Sequence, residues 1–104
     1  MKHFIVEATY LVPLEKIKEA TPRHRSFLQK GYDSGVFLCS GPQNPPVGGI
    51  LVARANSIAE LESILKEEPF QVENLASYRI REFQPVKRQS WAEEWFGDKS
   101  DRSV

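Results

Sequence analysis

The sequence predicts an α+β domain in which two helices cover one face of a four-stranded antiparallel sheet. Segments rich in β-branched and aromatic residues alternate with segments of helical apolar spacing, in the order β-α-β-β-α-β. That order is the split βαβ, or ferredoxin-like, arrangement. The length of 104 residues fits one such domain, at 1–85, followed by a tail at 86–104.

The first half of the domain predicts a strand and a helix. Residues 3–10 place aromatic and aliphatic side chains on one face at a spacing of two, which predicts a strand. Two interpretations of the following helix stay open. Either Thr21 caps a helix that begins at Pro22, or one longer helix runs from Leu14 through that proline. In both, Gly35 ends the helix.

The second half supplies the remaining elements. The continuous apolar run at 36–40 predicts a strand buried on both faces, and a third strand follows at 50–53. A Ser-x-x-Glu capping box begins a helix over 57–67, which Pro69 ends. Residues 77–83 alternate in polarity and predict the fourth strand.

The tail predicts a short amphipathic helix. A second capping box begins at Ser90, and Trp91 and Trp95 lie four residues apart on one helical face. We expect both tryptophans to pack on a protein surface, either that of their own subunit or that of a partner.

The open face of the predicted sheet indicates self-association. Because strand side chains alternate between faces, Ile5 points away from the face that buries Phe4 and Val6. Apolar residues on an uncovered face favour a partner. We therefore expect a homodimer with the two sheets packed face to face.

Composition and charge exclude several classes of function. Fourteen basic and fourteen acidic residues leave no net field for nucleic acid or an anionic membrane. The single cysteine excludes an internal disulfide and a cysteine-rich metal site. No apolar run is long enough to span a membrane, and charged residues interrupt the N-terminal apolar stretch. These features predict a cytoplasmic protein with no metal site.

His24 is the first candidate for chemistry. In a helix that begins at Pro22, it lies in the first turn on the stripe that faces the core. A helix N-terminus and partial burial both disfavour the imidazolium, so the sequence predicts a neutral ring able to act as a general base. Arg23 and Arg25 flank it and are candidates for contact with an anionic ligand. The alternative is a core histidine bonded to a backbone carbonyl.

Two further segments complete the candidate site. Glu68 lies at the predicted end of the second helix, where an acid opposes the helix dipole, and its carboxylate can orient His24. The alternative for Glu68 is a solvated charge. Ser40, Gly41 and Pro42 follow the second strand, where a hydroxyl and a glycine backbone can hold a substrate oxygen. Turn formation alone would also explain this Gly-Pro pair.

These motifs resemble the YciI-like family of the dimeric α+β barrel group. The resemblance covers about residues 4–85. It depends on Pro-x-His at 22–24, on Ser-Gly-Pro at 40–42, and on Pro69-Phe70 followed by an aromatic-containing strand. It implies a histidine–aspartate pair beside the sheet, with Glu68 in place of the aspartate.

The resemblance also implies a function. It favours a small-molecule enzyme, without a cofactor, that abstracts a proton as a lyase, isomerase or dehydrohalogenase acting on a cyclic or phenolic compound. His24 and Glu68 would be catalytic, while Ser40-Gly41-Pro42 and Phe70 would bind substrate. Two alternatives stay open: a non-catalytic metabolite-binding or assembly module, and a cofactor-free oxygenase.

Overall fold

The computed structural model describes residues 1–97 and confirms the predicted fold class. Its four strands form one antiparallel sheet in the order β2-β3-β1-β4. The elements are β1 (Lys2–Tyr10), α1 (Leu14–Asp33), β2 (Phe37–Pro42), β3 (Gly48–Ala55), α2 (Ile58–Leu65), α3 (Pro69–Val72), β4 (Ala76–Phe83), a 3₁₀ turn (Ser90–Ala92) and α4 (Glu93–Phe96). Within this part of the chain, no helix has the length and apolarity that crossing a membrane requires.

The main core lies between the sheet and the helices. Alternate residues of the two central strands, such as Phe4 and Ala53, are fully buried against α1 and α2. A second cluster joins Ile17 and Ala20 of α1 to Phe70 of α3. The candidate site lies between these two clusters, on the helix side of the sheet.

The structure confirms the longer of the two interpretations of the first helix, α1. It begins at Leu14, directly after Pro13, and Pro22 lies inside it, so Thr21 is not its N-cap. The proline removes the N–H that the Lys18 carbonyl would accept. The Thr21 hydroxyl instead donates to the Ile17 carbonyl at 2.8 Å, within the same helix.

Gly35 follows the end of α1, as predicted. It has a φ of +81°, in the left-handed region that favours glycine. Its N–H donates to the Tyr32 carbonyl at 3.0 Å, and the Val36 N–H donates to the Gly31 carbonyl at 2.9 Å. This pair of bonds is a Schellman motif, which satisfies two carbonyls of the last helical turn.

β2 differs from its prediction. It lies at an edge of the sheet, and only Phe37 at its start is buried. The prediction of burial on both faces was therefore wrong, and Cys39 is exposed. An apolar run indicates a strand but does not fix the strand's position in the sheet.

The chain between α2 and α3 also differs from prediction. The Ser57 hydroxyl accepts a hydrogen bond from the Glu60 N–H at 3.1 Å, as the capping box requires. However, α2 ends at Leu65, and Pro69 begins a new short helix, α3, instead of only ending α2. Proline suits this first helical position because no intrahelical partner is needed for its missing N–H.

The described part of the tail, up to Gly97, packs on the open face of the sheet. His3 lies between two tail rings, with centroids 5.5 Å from Trp95 and 5.3 Å from Phe96. The Trp95 indole N–H donates to the Gly35 carbonyl at 2.9 Å. Arg54 donates to the carbonyls of Trp95 and Gly35, and its guanidinium lies 5.0 Å from the Trp95 ring centroid. The tail is thus anchored on its own subunit.

The tail differs from its prediction at one feature, the capping box. Trp91 is 80% exposed on its own subunit, so its packing on a partner stays a prediction. Ser90 starts a 3₁₀ turn without a side-chain cap, so the second capping box does not form. The rest of the predicted tail, 98–104, lies outside the described residues.

The burial of His3 beneath the tail predicts that the free energy of unfolding falls in mild acid. Burial lowers the pKa of His3, as do the positive charges of the Met1 amine, Arg54 and Arg88, while a hydrogen bond with the Trp95 backbone opposes the shift. The unfolded chain therefore binds a proton more readily as the pH falls below about 6.5. Below that pH, the free energy of unfolding should fall by at most about 1.4 kcal/mol per pH unit from this group.

Urea unfolding between neutral and mildly acidic pH checks this prediction. The His3→Phe variant keeps an aromatic ring but cannot take up the proton, and His24 is present in both proteins. The variant should lose less stability on acidification than the unchanged protein. Equal losses would show that His3 does not carry the effect.

Candidate active site

His24 enters the site from the middle of α1. Because the helix begins at Leu14, His24 is remote from a helix N-terminus, and the argument that the dipole keeps the ring neutral does not apply. The side chain is 23% exposed. Its ring stacks on Phe70, with centroids 4.0 Å apart and an interplanar angle of 4°. Helix packing against α3 thus fixes the plane of the imidazole.

Glu68 is placed by its local backbone. It is the N-cap of α3, and its Oε2 accepts a hydrogen bond from the Phe70 N–H at 3.0 Å. An acid at this position stabilises a helix, since the first N–H groups lack intrahelical partners. The expectation that Glu68 opposes a helix dipole was therefore wrong. Glu68 is only 1% exposed, which also excludes the interpretation of this side chain as a solvated charge.

The Glu68 carboxylate contacts two further side chains. Oε1 lies in short contact with His24 Nδ1, and Oε2 accepts a hydrogen bond from the Tyr78 hydroxyl. Together with the Phe70 N–H, these groups connect α1, α3 and β4 through one carboxylate. A buried carboxylate needs such partners, because leaving its charge unpaired costs several kcal/mol.

His24 Nε2 is the free end of this arrangement. It makes no hydrogen bond with the residues that the structure describes, whereas Nδ1 contacts Glu68. The alternative of a core histidine bonded to a backbone carbonyl is therefore not the observed arrangement. An imidazole held at Nδ1 by a carboxylate presents Nε2 as the proton acceptor.

A cavity of about 390 Å³ adjoins the His24–Glu68 pair. A volume of this size suits a small organic ligand, for which pockets of roughly 300–1,000 Å³ are typical. Its walls combine aliphatic side chains of the sheet and helices with a few polar groups. The lining residues are Val6, Ala8, Tyr10, Leu14, Ile17, Lys18, Thr21, His24, Arg25, Leu28, Ser40, Gly41, Pro42, Gly49, Ile50, Leu51, Leu65, Glu68, Phe70 and Tyr78.

The residues predicted to be catalytic or to bind substrate all line this cavity. His24, Glu68 and Phe70 form the contacts described above, and Ser40, Gly41 and Pro42 line it from β2. The Ser40 hydroxyl also lies 2.5 Å from the Tyr32 hydroxyl of α1. A Cβ added at Gly41 would meet no atom within 4 Å, so the backbone there is open to a ligand. Their roles stay predictions.

Sequence reasoning missed the two tyrosines of the cavity. Tyr78 lies on the helix side of β4, a placement that strand alternation predicts without revealing its partner. Tyr10 is the last residue of β1 and packs edge-on against Phe70, with ring centroids 6.2 Å apart. Burial raises the pKa of Tyr10, so its hydroxyl stays protonated at neutral pH.

The two arginines beside His24 differ in their surroundings. Arg23 forms a salt bridge with Glu73 at 2.8 Å and does not line the cavity. Arg25 does line it. The expectation of contact with an anionic ligand is therefore restricted to Arg25.

Comparisons with known proteins extend this description. The sequence model of the YCII-related domain matches residues 1–84, which confirms the resemblance. A solved structure with a similar fold is "5-chloro-2-hydroxyhydroquinone dehydrochlorinase (TftG) from Burkholderia phenoliruptrix AC1100: Complex with 2,5-dihydroxybenzoquinone". The TM-score is 0.67 at 17% identity, over 80% of this chain and 93% of that chain. No curated protein matches the sequence.

The contacts of Glu68 predict that Tyr78→Phe destabilises the protein. This change removes one donor to a buried carboxylate, and a hydrogen bond to a charged group contributes about 1.5–3 kcal/mol. Tyr10→Phe is the matched control, because that tyrosine lines the same cavity and its hydroxyl makes no hydrogen bond within residues 1–97. Chemical denaturation should show a clear loss for Tyr78→Phe only. Equal losses would contradict the role given to the Tyr78 hydroxyl.

Proposed function

The chain belongs to the YCII-related domain family, and on that premise we propose that it is an enzyme that abstracts a proton from a small cyclic or phenolic compound. The favoured reaction is an elimination of the dehydrohalogenase type. Lyase and isomerase reactions that begin with the same proton abstraction belong to the same proposal.

One observation carries this proposal. The contact between His24 and Glu68 joins an imidazole on the cavity wall to a buried carboxylate, and Nε2 has no partner within the described chain. A purely structural histidine gains most when both ring nitrogens are bonded. A general base instead needs one nitrogen held and the other available to the substrate.

The proposed elimination assigns one proton transfer to this pair. His24 Nε2 takes a proton from a hydroxyl or carbon of the substrate. In the keto tautomer of a chlorinated phenol, the ring carbon that carries chlorine is saturated. The electron pair of the broken bond then becomes part of a new double bond, and the carbon–chlorine bond breaks with its electrons leaving on chloride. Glu68 stabilises the imidazolium that forms, and the proton then passes from the imidazolium to solvent. The net loss is one proton and one chloride ion.

The remaining predicted residues would hold the substrate. Phe70 packs behind His24 and fixes its ring plane, so its part in the proposal is to shape the apolar floor. The Ser40 hydroxyl and the Gly41 backbone would bind a substrate oxygen, with Pro42 closing that end. No cofactor enters the proposed reaction.

The similar solved structure suggests the first substrate to try. That protein is named for the dehydrochlorination of 5-chloro-2-hydroxyhydroquinone, and the likeness at 17% identity extends to the fold. In this chain the cavity has a volume suited to a single substituted ring. A chlorinated hydroquinone therefore serves as a test compound for the reaction class.

Chloride release from 5-chloro-2-hydroxyhydroquinone tests the proposal. The unchanged protein should accelerate release, and His24→Gln should lower the rate by about 10²–10⁴-fold, the usual contribution of a general base. Glu68→Gln should also lower it, because a neutral amide stabilises the imidazolium less than a carboxylate does. His3→Gln is the control: that histidine lies under the tail and does not line the cavity.

Four outcomes would count against the proposal. No acceleration by the unchanged protein would contradict dehydrochlorination of this compound. Equal rates for His24→Gln and His3→Gln would contradict the general base. The finding that the protein binds ring compounds but neither isomerises them nor eliminates a halide or other group from them would favour the binding-module alternative. Consumption of oxygen would favour the oxygenase.

We also propose that the protein is a cytoplasmic homodimer that packs sheet face to sheet face. Val52 and Ile5 are paired across β3 and β1 on the open face, and both are only half-buried in one subunit. Within residues 1–97, the tail rings contact this face at His3, and the half-buried Ile5 and Val52 are the surface proposed for a partner.

Sedimentation equilibrium at micromolar concentration tests the dimer. The unchanged protein should sediment at twice the monomer mass, and Val52→Lys should dissociate it by placing a charge in the apolar contact. Val72→Lys is the control, since Val72 lies on α3 and is 65% exposed. A monomer at that concentration, or equal masses for both variants, would contradict the proposed interface.

A further inference from the structure

Two cations on α1 line the cavity without an acidic partner. Lys18 and Arg25 are both exposed and contribute to the lining, so they lie at its mouth. Neither forms a salt bridge within residues 1–97. Their neighbours on the same helix differ: Arg23 pairs with Glu73 at 2.8 Å, and Lys16 lies 3.9 Å from Glu19.

Helical spacing places these two cations on one line. Lys18 and Arg25 are seven residues apart, which is about two turns, or roughly 10 Å along the axis. At about 100° per residue, Lys18 and Arg25 lie along one edge of the helical stripe that faces the cavity, and His24 lies along the other edge. The burial of these residues agrees, since His24 is partly buried and the two cations are exposed. The helix therefore presents the base toward the interior and the positive charges toward the mouth.

The charge that the cavity presents to a ligand is positive. Glu68 is the one acidic residue of the lining. Its carboxylate is buried and already holds His24, Tyr78 and the Phe70 N–H. Those bonds leave the mouth without an acid to balance Lys18 and Arg25. A positive mouth on an otherwise apolar cavity selects for a ligand with an apolar body and one negative charge.

We propose that the cavity takes a small cyclic anion, a carboxylate or an ionised phenol, whose charge pairs with Arg25 at the mouth while its ring lies toward His24 and Phe70. This inference rests on the proposed function and names the substrate class of the same site. A planar guanidinium binds a carboxylate through two parallel hydrogen bonds, which fixes the direction of the attached ring as well as its affinity. Lys18 adds attraction as a point charge.

A matched pair of probes tests the sign of the charge. 4-Hydroxybenzoate and 4-hydroxybenzamide have nearly the same shape, but only the first is an anion at neutral pH. Calorimetric titration of the unchanged protein should show tighter binding of the benzoate, and added salt should weaken it more than the amide. Arg25→Gln should raise the dissociation constant of the benzoate by about three- to tenfold and leave that of the amide unchanged.

Arg23→Gln is the control variant. It removes the same charge two residues away on the same helix, from a side chain that pairs with Glu73 outside the cavity. It should leave the binding of both probes unchanged. Equal affinity for the two probes, equal effects of the two arginine variants, or no binding of either probe would each overturn the inference.

The binding data also separate this inference from the proposed catalysis. Binding of the benzoate is measured without turnover, so His24→Gln should retain the preference for the anion even where it abolishes chloride release. Preference for the anion in a protein that turns over no substrate would contradict the enzyme and leave the substrate class standing. Turnover of a neutral ring compound with no effect of Arg25→Gln would support the enzyme and contradict the proposed anionic substrate class.

Discussion

The burial of the Glu68 carboxylate is the constraint on which the site depends. A group that is 1% exposed and charged must be satisfied by the protein, and its partners come from three different elements. α1 supplies His24, α3 supplies the Phe70 N–H and β4 supplies the Tyr78 hydroxyl. One carboxylate therefore fixes both where α1 lies against the sheet and which ring nitrogen faces the cavity.

The two faces of the sheet contact different parts of the protein. On the helix side, apolar walls and the His24–Glu68 pair form a cavity of about 390 Å³. On the open side, Trp95 is held by Arg54 and by the Gly35 carbonyl, the same glycine that ends α1. The turn after α1 thus links the helix that carries the base to the tail that covers part of the opposite face.

The sequence predicts the framework better than the contacts. Strand alternation and the two helical stripes are enough for the fold, because they report which face of each element is apolar. These patterns do not show which elements or side chains are neighbours. The run at 36–40 indicates a strand but not that the strand lies at the edge of the sheet. Tyr78 belongs to the site because its hydroxyl bonds to Glu68, a contact that the patterns do not show. Pro22 left two interpretations open, since proline both starts helices and interrupts them. The role of Glu68 as an N-cap depended on a helix of four residues, Pro69–Val72.

The ¹⁵N chemical shifts of the His24 ring report which of its two nitrogens carries the proton. In the proposed arrangement, Glu68 holds the proton on Nδ1, so a long-range ¹H–¹⁵N spectrum of the neutral ring should show a protonated Nδ1 and a free Nε2. Glu68→Gln should weaken that preference, because an amide can donate as well as accept. A proton on Nε2 in the unchanged protein would contradict the general-base role of His24, since the nitrogen that faces the substrate would then be unable to accept a proton.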